Sequence, residues 1–165
     1  MKYITSIAIC LSILVLSGCS SKNGLSTGLD GSNSNTEFGE ISQNSIEYFS
    51  QNVGDTILFE VNTSTLNANT ISILQSQAVW LQENITVPIT IEGHADEQGT
   101  REYNLGLGAR RATSVRNYLV SQGIPDSRLS IVTYGKERPI EICSQERCWS
   151  KNRRSVTVVS GGLGN

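Results

Sequence analysis

The stretch VPITIEGHADEQGTREYNLGLGARRATSV, Val87 to Val115, changes its repeat part-way along. From Val87 to Gly93, Ile89 and Ile91 fall on one face and Thr90 and Glu92 on the other, the two-residue period of a half-buried strand. From about Glu102 to Ser121 the period lengthens. Leu105, Ala112, Val115 and Leu119 line one side of a helix that Gly123 stops. A strand running into a long helix is the unit from which layered α/β folds are built.

Outward from this unit the alternation continues. Ile57-Leu58-Phe59-Glu60-Val61 predicts a first strand, and Ile71, Leu74, Ala78 and Leu81 place a helix face between Thr65 and Asn84. Leu129 to Tyr134 and Ser155 to Val159 predict a third and a fourth strand, separated by a polar loop that holds two cysteines. The order is βαβα followed by two strands. It predicts an α/β sandwich, a mixed sheet with helices packed on one face.

The N-terminus belongs to a different regime. Lys2 precedes an apolar run from Ile4 to Leu16 that ends in Leu16-Ser17-Gly18-Cys19, which reads as an export signal over residues 1–18. The run is short of the ~20 apolar residues a membrane span needs. Its ending resembles the bacterial lipobox, and that resemblance implies a lipid on Cys19. Ser20 is not the aspartate that retains many such proteins at the inner membrane, so the outer membrane is the expected address, with the folded part facing the periplasm. Residues 19–45 then form a flexible tether rich in Ser, Gly and Asn. About 20 residues of such coil span roughly 25 Å on average and about 70 Å drawn out. The folded domain is expected over residues 46–165.

The formal charge of -2 conceals an asymmetry, because residues 101–165 carry eleven Lys and Arg against five Asp and Glu. An exported chain rarely meets nucleic acid, which is not expected as a partner, so an anionic group of the cell envelope suits this basic half better. Arg101, Arg116, Arg128 and Arg147 also fit a merely solvated surface. Cys143 and Cys148 are expected to pair as a short-loop disulfide in an oxidising compartment. A lone thiol pair far in sequence from the single histidine, His94, is poor metal spacing, and neither metal nor cofactor is expected.

Ligands of open α/β sheets gather beyond the carboxyl ends of strands. Asp96 lies just past the second strand, and Asn104 and Arg111, seven residues apart, fall within about 20° of one line on the next helix. Asn152-Arg153-Arg154 precedes the last strand and Asn62 follows the first. A guanidinium fits a carboxylate in bidentate fashion, a carboxylate accepts from an ammonium, and the amides satisfy what lies between. Such a set suits an amino-acid-like zwitterion, as displayed on the peptide stems of the cell wall. Each residue also has a plainer use: Asp96 as a turn cap, Arg111, Arg110 and Arg154 as surface ion-pair residues, and Trp80 and Trp149 as packing groups, Trp149 over the disulfide.

The residues Gly93-His94-Ala95-Asp96-Glu97, Tyr103-Asn104, Leu107-Gly108, Arg110-Arg111-Ala112, Tyr134-Gly135-Lys136-Glu137-Arg138-Pro139 and Ser150-Lys151-Asn152-Arg153-Arg154 resemble the OmpA-like domain, in the form carried by peptidoglycan-associated lipoproteins. The likeness runs from about Asp55 to Val159. It implies noncovalent binding of the meso-diaminopimelate of peptidoglycan, with Asp96 and Arg111 on its amino and carboxylate groups, Asn104, Asn62 and Arg153 completing the pocket, and backbone near Val61 and Gln98 lining it. It also implies a role in the Tol-Pal system, with TolB and other Tol or OmpA-like envelope proteins as partners. Glu60 stands where the family usually has aspartate, and the Cys143 to Cys148 segment is not in every relative. Two other functions compete with a binding module. A wall hydrolase needs two carboxyls facing across a scissile bond, whereas Glu92, Asp96 and Glu97 crowd at one strand end; a purely structural surface lipoprotein needs no pocket.

Overall fold

The computed structural model describes residues 41–160. The expected signal, the lipid site at Cys19 and most of the tether lie outside them. Ser45 caps a short helical turn, α1 (Ile46–Tyr48), by accepting from the Tyr48 amide at 3.0 Å, and a π-helical turn follows over Phe49–Gly54. Neither was expected from the sequence. Their anchor is Phe49, 1% exposed, whose ring centroid lies 4.7 Å from that of buried Trp80. The Trp80 indole N–H donates to the Gln43 carbonyl at 2.8 Å, so the chain enters the fold beside the last turns of the helix that carries Trp80.

Strands β1 (Thr56–Leu58), β2 (Ile89–His94), β3 (Leu129–Gly135) and β4 (Arg154–Val159) form one sheet in the order β1-β4-β2-β3. β2 and β3 are parallel, and β4 runs antiparallel to both β1 and β2, which makes the sheet mixed. Helices α2 (Ala68–Glu83) and α3 (Arg101–Ser121) cover one face, where Ile57, Ile89, Ile91 and Val159 meet Leu74, Leu81, Ala112, Val115 and Leu119. This is the layered α/β architecture the alternation predicts. Burying each such aliphatic side chain stabilises the fold by ~1.5–3 kcal/mol before chain entropy is counted.

Four readings need correction. β1 is three residues long instead of five, because the chain turns at Val61-Asn62 with Asn62 at φ 55°, a left-handed conformation asparagine tolerates. α2 starts at Ala68, after Asn67 caps it by accepting from the Thr70 amide at 3.0 Å. On α3 the inward residue of the second turn is Leu107, with Leu105 half-buried. The cysteine segment is partly helical: α4 (Glu146–Asn152) contains Cys148, which is bonded to Cys143 with 5.8 Å between Cα atoms.

Helix α3 lies unusually near the sheet. A Cβ on Gly93 would stand 1.9 Å from the Gly108 carbonyl oxygen, so two glycines let helix and strand backbones touch. Arg128, read as a surface residue, instead donates to the carbonyls of Leu81, Asn84 and Val87 at 2.7–3.2 Å, capping the C-terminal end of α2. Arg154 is also buried, at 6% exposure, and donates to the Arg138 carbonyl at 3.1 Å. Arg101 and Arg116 do sit in exposed ion pairs, with Glu137 and Asp126.

Candidate binding site

Beyond the carboxyl end of β2 the chain turns through Ala95 to Thr100 into α3, whose first turn Thr100 caps by accepting from the Tyr103 amide. Asp96 folds back within this turn and accepts from the Gln98 amide at 3.2 Å, so the capping use of Asp96 is realised. Its other oxygen accepts from Arg153 at 3.2 Å, with both side chains almost wholly buried. One residue thus serves a turn and an ion pair at once.

A cavity of about 300 Å³ opens here, lined by Val61, Asn62, Asp96, Gln98, Gly99, Tyr103, Asn104 and Leu107. Five of the seven expected binding residues line it. Asn104 donates to the Gln98 carbonyl at 2.8 Å, but its Oδ1, buried in a residue 1% exposed, has no partner. A buried acceptor without a donor costs ~1–3 kcal/mol unless something supplies one. Asn62 accepts from the Tyr103 hydroxyl, which ties the β1–α2 turn to α3 across the cavity mouth. The wall is therefore rich in acceptors: the Asp96 carboxylate, the free Asn104 oxygen and the Asn62 amide oxygen.

The two expected arginines stand behind this wall. Arg111 is completely buried and donates to the backbone carbonyls of Thr63 at 2.9 Å, His94 at 2.8 Å and Glu60 at 3.2 Å. Its guanidinium lies 5.2 Å from the Phe59 ring centroid. It is neither a surface ion-pair residue nor part of the cavity lining. Burial lowers its pKa to about 10, helped by repulsion from Arg153 and opposed by Asp96, so it remains charged at neutral pH. The result is a cationic clamp that fixes the turn bearing Val61 and Asn62 against the end of β2.

Arg153 follows the last residue of α4 and donates to the Phe59 carbonyl, to Asp96 and to both oxygens of Glu146. Its pKa is raised, first by Glu146 and also by Asp96. It faces a second cavity of about 510 Å³, bordered by Leu58, Glu60, Asn67, Asn69, Glu146 and Ser150 among others. Glu146 and Tyr103 were not anticipated. Glu146 lies seven residues before Arg153, a helical spacing that was hidden while the segment was read as loop.

His94 and the acidic residues take lesser places. His94 is buried and Glu97 is exposed, accepting from the Trp149 indole at 3.1 Å, so Trp149 bridges to the Asp96 turn. Arg110 is exposed, as expected. Among the described residues no group of His, Cys, Asp and Glu could hold a metal ion.

The sequence profile of the OmpA family matches residues 58–153, the span that holds every one of these binding-site residues. The chain belongs to the OmpA family. Within that family it is 44% identical to the peptidoglycan-associated lipoprotein of Mesorhizobium japonicum, across 92% of this chain and 89% of the relative. It is 47% identical to the protein of the same name from Rhizobium meliloti, across 90% and 83%. The crystal structure of the peptidoglycan-associated lipoprotein from Burkholderia pseudomallei superposes with a TM-score of 0.65 at 32% identity, covering 67% of this chain and 96% of that one. The OmpA-like architecture and the likeness to these lipoproteins agree with the resemblance read from the dispersed sequence matches.

Proposed function

We propose that this chain is an envelope lipoprotein whose domain binds peptidoglycan noncovalently and so couples the outer membrane to the wall. The observation that carries the reading is the acceptor-lined cavity, where the Asp96 carboxylate and the unpartnered Asn104 oxygen converge beyond β2. An ammonium donates to several oxygens at once while neutralising a carboxylate. The free end of meso-diaminopimelate brings such an ammonium beside a carboxylate, which the buried charge of Arg111 attracts from behind the wall. Asn62, Gln98 and Val61 shape the mouth of the cavity, and Arg153 holds Asp96 in place.

That the relatives are named peptidoglycan-associated lipoproteins supports peptidoglycan as the partner and a lipid-bearing N-terminus. Among the described residues no helix is long and apolar enough to cross a membrane; in this reading the lipid of Cys19 provides the attachment. Binding of TolB, and a place in the Tol-Pal system that maintains envelope integrity and division, form the wider reading. In this reading the domain is a binder, with Asp96 held by Arg153 and Glu97 accepting from Trp149.

The test is co-sedimentation of the detergent-solubilised full-length chain with purified wall sacculi. Asp96→Asn, which keeps shape and removes charge, is expected to weaken binding at least about tenfold. Arg111→Lys is expected to weaken it too, since an ammonium cannot reproduce three divergent contacts. Undiminished binding by Asp96→Asn at unchanged thermal stability sinks the assignment, and release of soluble muropeptides by the wild type would reverse the non-enzymatic reading.

A further inference from the structure

The larger cavity, bordered by β1, the first turn of α2 and α4, is lined by Arg153, which reaches the proposed binding cleft only through its ion pair with Asp96. One guanidinium nitrogen, Nη1, donates both to Asp96, which lines the cleft, and to Glu146, which lines the larger cavity, and Nη2 donates to Glu146 alone. The two carboxylates differ in how they are held. The Asp96 side chain is 9% exposed and pinned by its own turn, whereas the Glu146 side chain is 62% exposed and leaves from the first turn of a seven-residue helix. Among the described residues nothing else donates to Glu146, and its pKa is lowered by Arg153 first.

We propose that this cavity is a carboxylate subsite of the same ligand, and that Glu146 occupies it as a resident, displaceable carboxylate. The subsite deepens the reading of the cleft as a receptor for a zwitterionic wall peptide and rests on it. A second ligand carboxylate, next to the end held by Asp96, displaces Glu146 from the Arg153 fork while Asp96 stays in place. Charge is conserved in the exchange: one carboxylate leaves the guanidinium and another takes its two donors, so the buried cation is never left unpaired. The exposed stem of Glu146 swings into solvent at little cost. The cavity, at about 510 Å³, has room for the entering group, and its remaining polar lining of Asn67, Asn69 and Ser150 can bond the adjoining amide. The Asn67 oxygen already caps α2, so Arg153 and not the helix end supplies the attraction. Glu146 is then a specificity-determining residue: it sets how strongly a ligand must bring its own carboxylate to bind.

Calorimetric titration of the full-length chain with L-alanyl-γ-D-glutamyl-meso-diaminopimelate, and with the same peptide amidated at its C-terminal carboxyl, tests this. The wild type is expected to bind the free acid more tightly than the amide. Glu146→Gln removes the competitor and is expected to tighten the free acid about fivefold while leaving the amide within about twofold. Equal affinity of the wild type for both peptides overturns the subsite and leaves the cleft intact, as does a Glu146→Gln variant that melts normally yet gains nothing for the free acid. Failure of both peptides to bind the wild type sinks the reading of the cleft and the subsite with it. The wild-type comparison decides the matter even if Glu146→Gln folds poorly.

Discussion

His94 ends β2 with 1% of its surface exposed and neither ring nitrogen hydrogen-bonded. It stacks beside Tyr134 at 5.4 Å between centroids, with Glu92 3.5 Å from Nε2 and Arg138 lying over the far ring. Burial, then repulsion from Arg154 and Arg138, lowers its pKa to about 4. Between about pH 6.5 and pH 4 the unfolded chain takes up a proton that the folded chain refuses, so stability falls as the pH falls through that window. The full effect is on the order of 3 kcal/mol. Urea unfolding of His94→Gln is expected to show a flatter pH dependence than the wild type across this window; an identical slope would refute the assignment. At this scale the sequence was legible where the cavity depends on spacing: Asp96, Asn104 and Asn62 converge on it because a strand end, a helix face and a turn follow from local patterns. The posture of Arg111 was not legible. Its carbonyl partners at Thr63 and Glu60 come from about 50 residues away and belong to backbone, which carries no side-chain signature.

The strands and long helices were readable because apolar periodicity survives in them, and the errors fall where a different force decides. α4 begins at Glu146 inside a polar, cysteine-bearing run, and its buried Asn152 is satisfied by loop backbone, accepting from the Ile140 and Glu141 amides and donating to the Glu141 carbonyl. No hydrophobic stripe announces such a helix. The α3–β2 contact was equally silent, since glycine says only that a close approach is allowed. Its energetic weight can be measured by contrast. Gly93→Ala sets a methyl 1.9 Å from a backbone oxygen that cannot yield, and is expected to lower the melting temperature by roughly 10 °C or more. Gly106→Ala on the same helix meets only the mobile tip of Arg110 at 3.4 Å and is expected to raise stability by up to ~1 kcal/mol. Calorimetric scans of the two should move in opposite directions; a tolerated Gly93→Ala would mean helix and strand can separate without loss.

For the whole molecule the proposed division of labour is separable. Cys19→Ser is expected to move the protein from the membrane to the soluble fraction while its binding to wall sacculi is unchanged, because the site lies wholly within residues 61–153. Fractionation followed by co-sedimentation checks both halves. The entry of the chain at Gln43, fastened beside Trp80 near the C-terminal end of α2, has a further meaning. α2 leads into the amino end of β2, whereas the cleft lies beyond the carboxyl end of that strand, so Gln43 and the cleft sit toward opposite ends of β2. A pull from one envelope layer against the other would therefore run lengthwise along the strands and load the β1–β4 and β4–β2 ladders in shear, with their rungs strained together instead of unzipped one by one. The fold would behave as a mechanical link whose strong axis lies along the direction in which it is drawn.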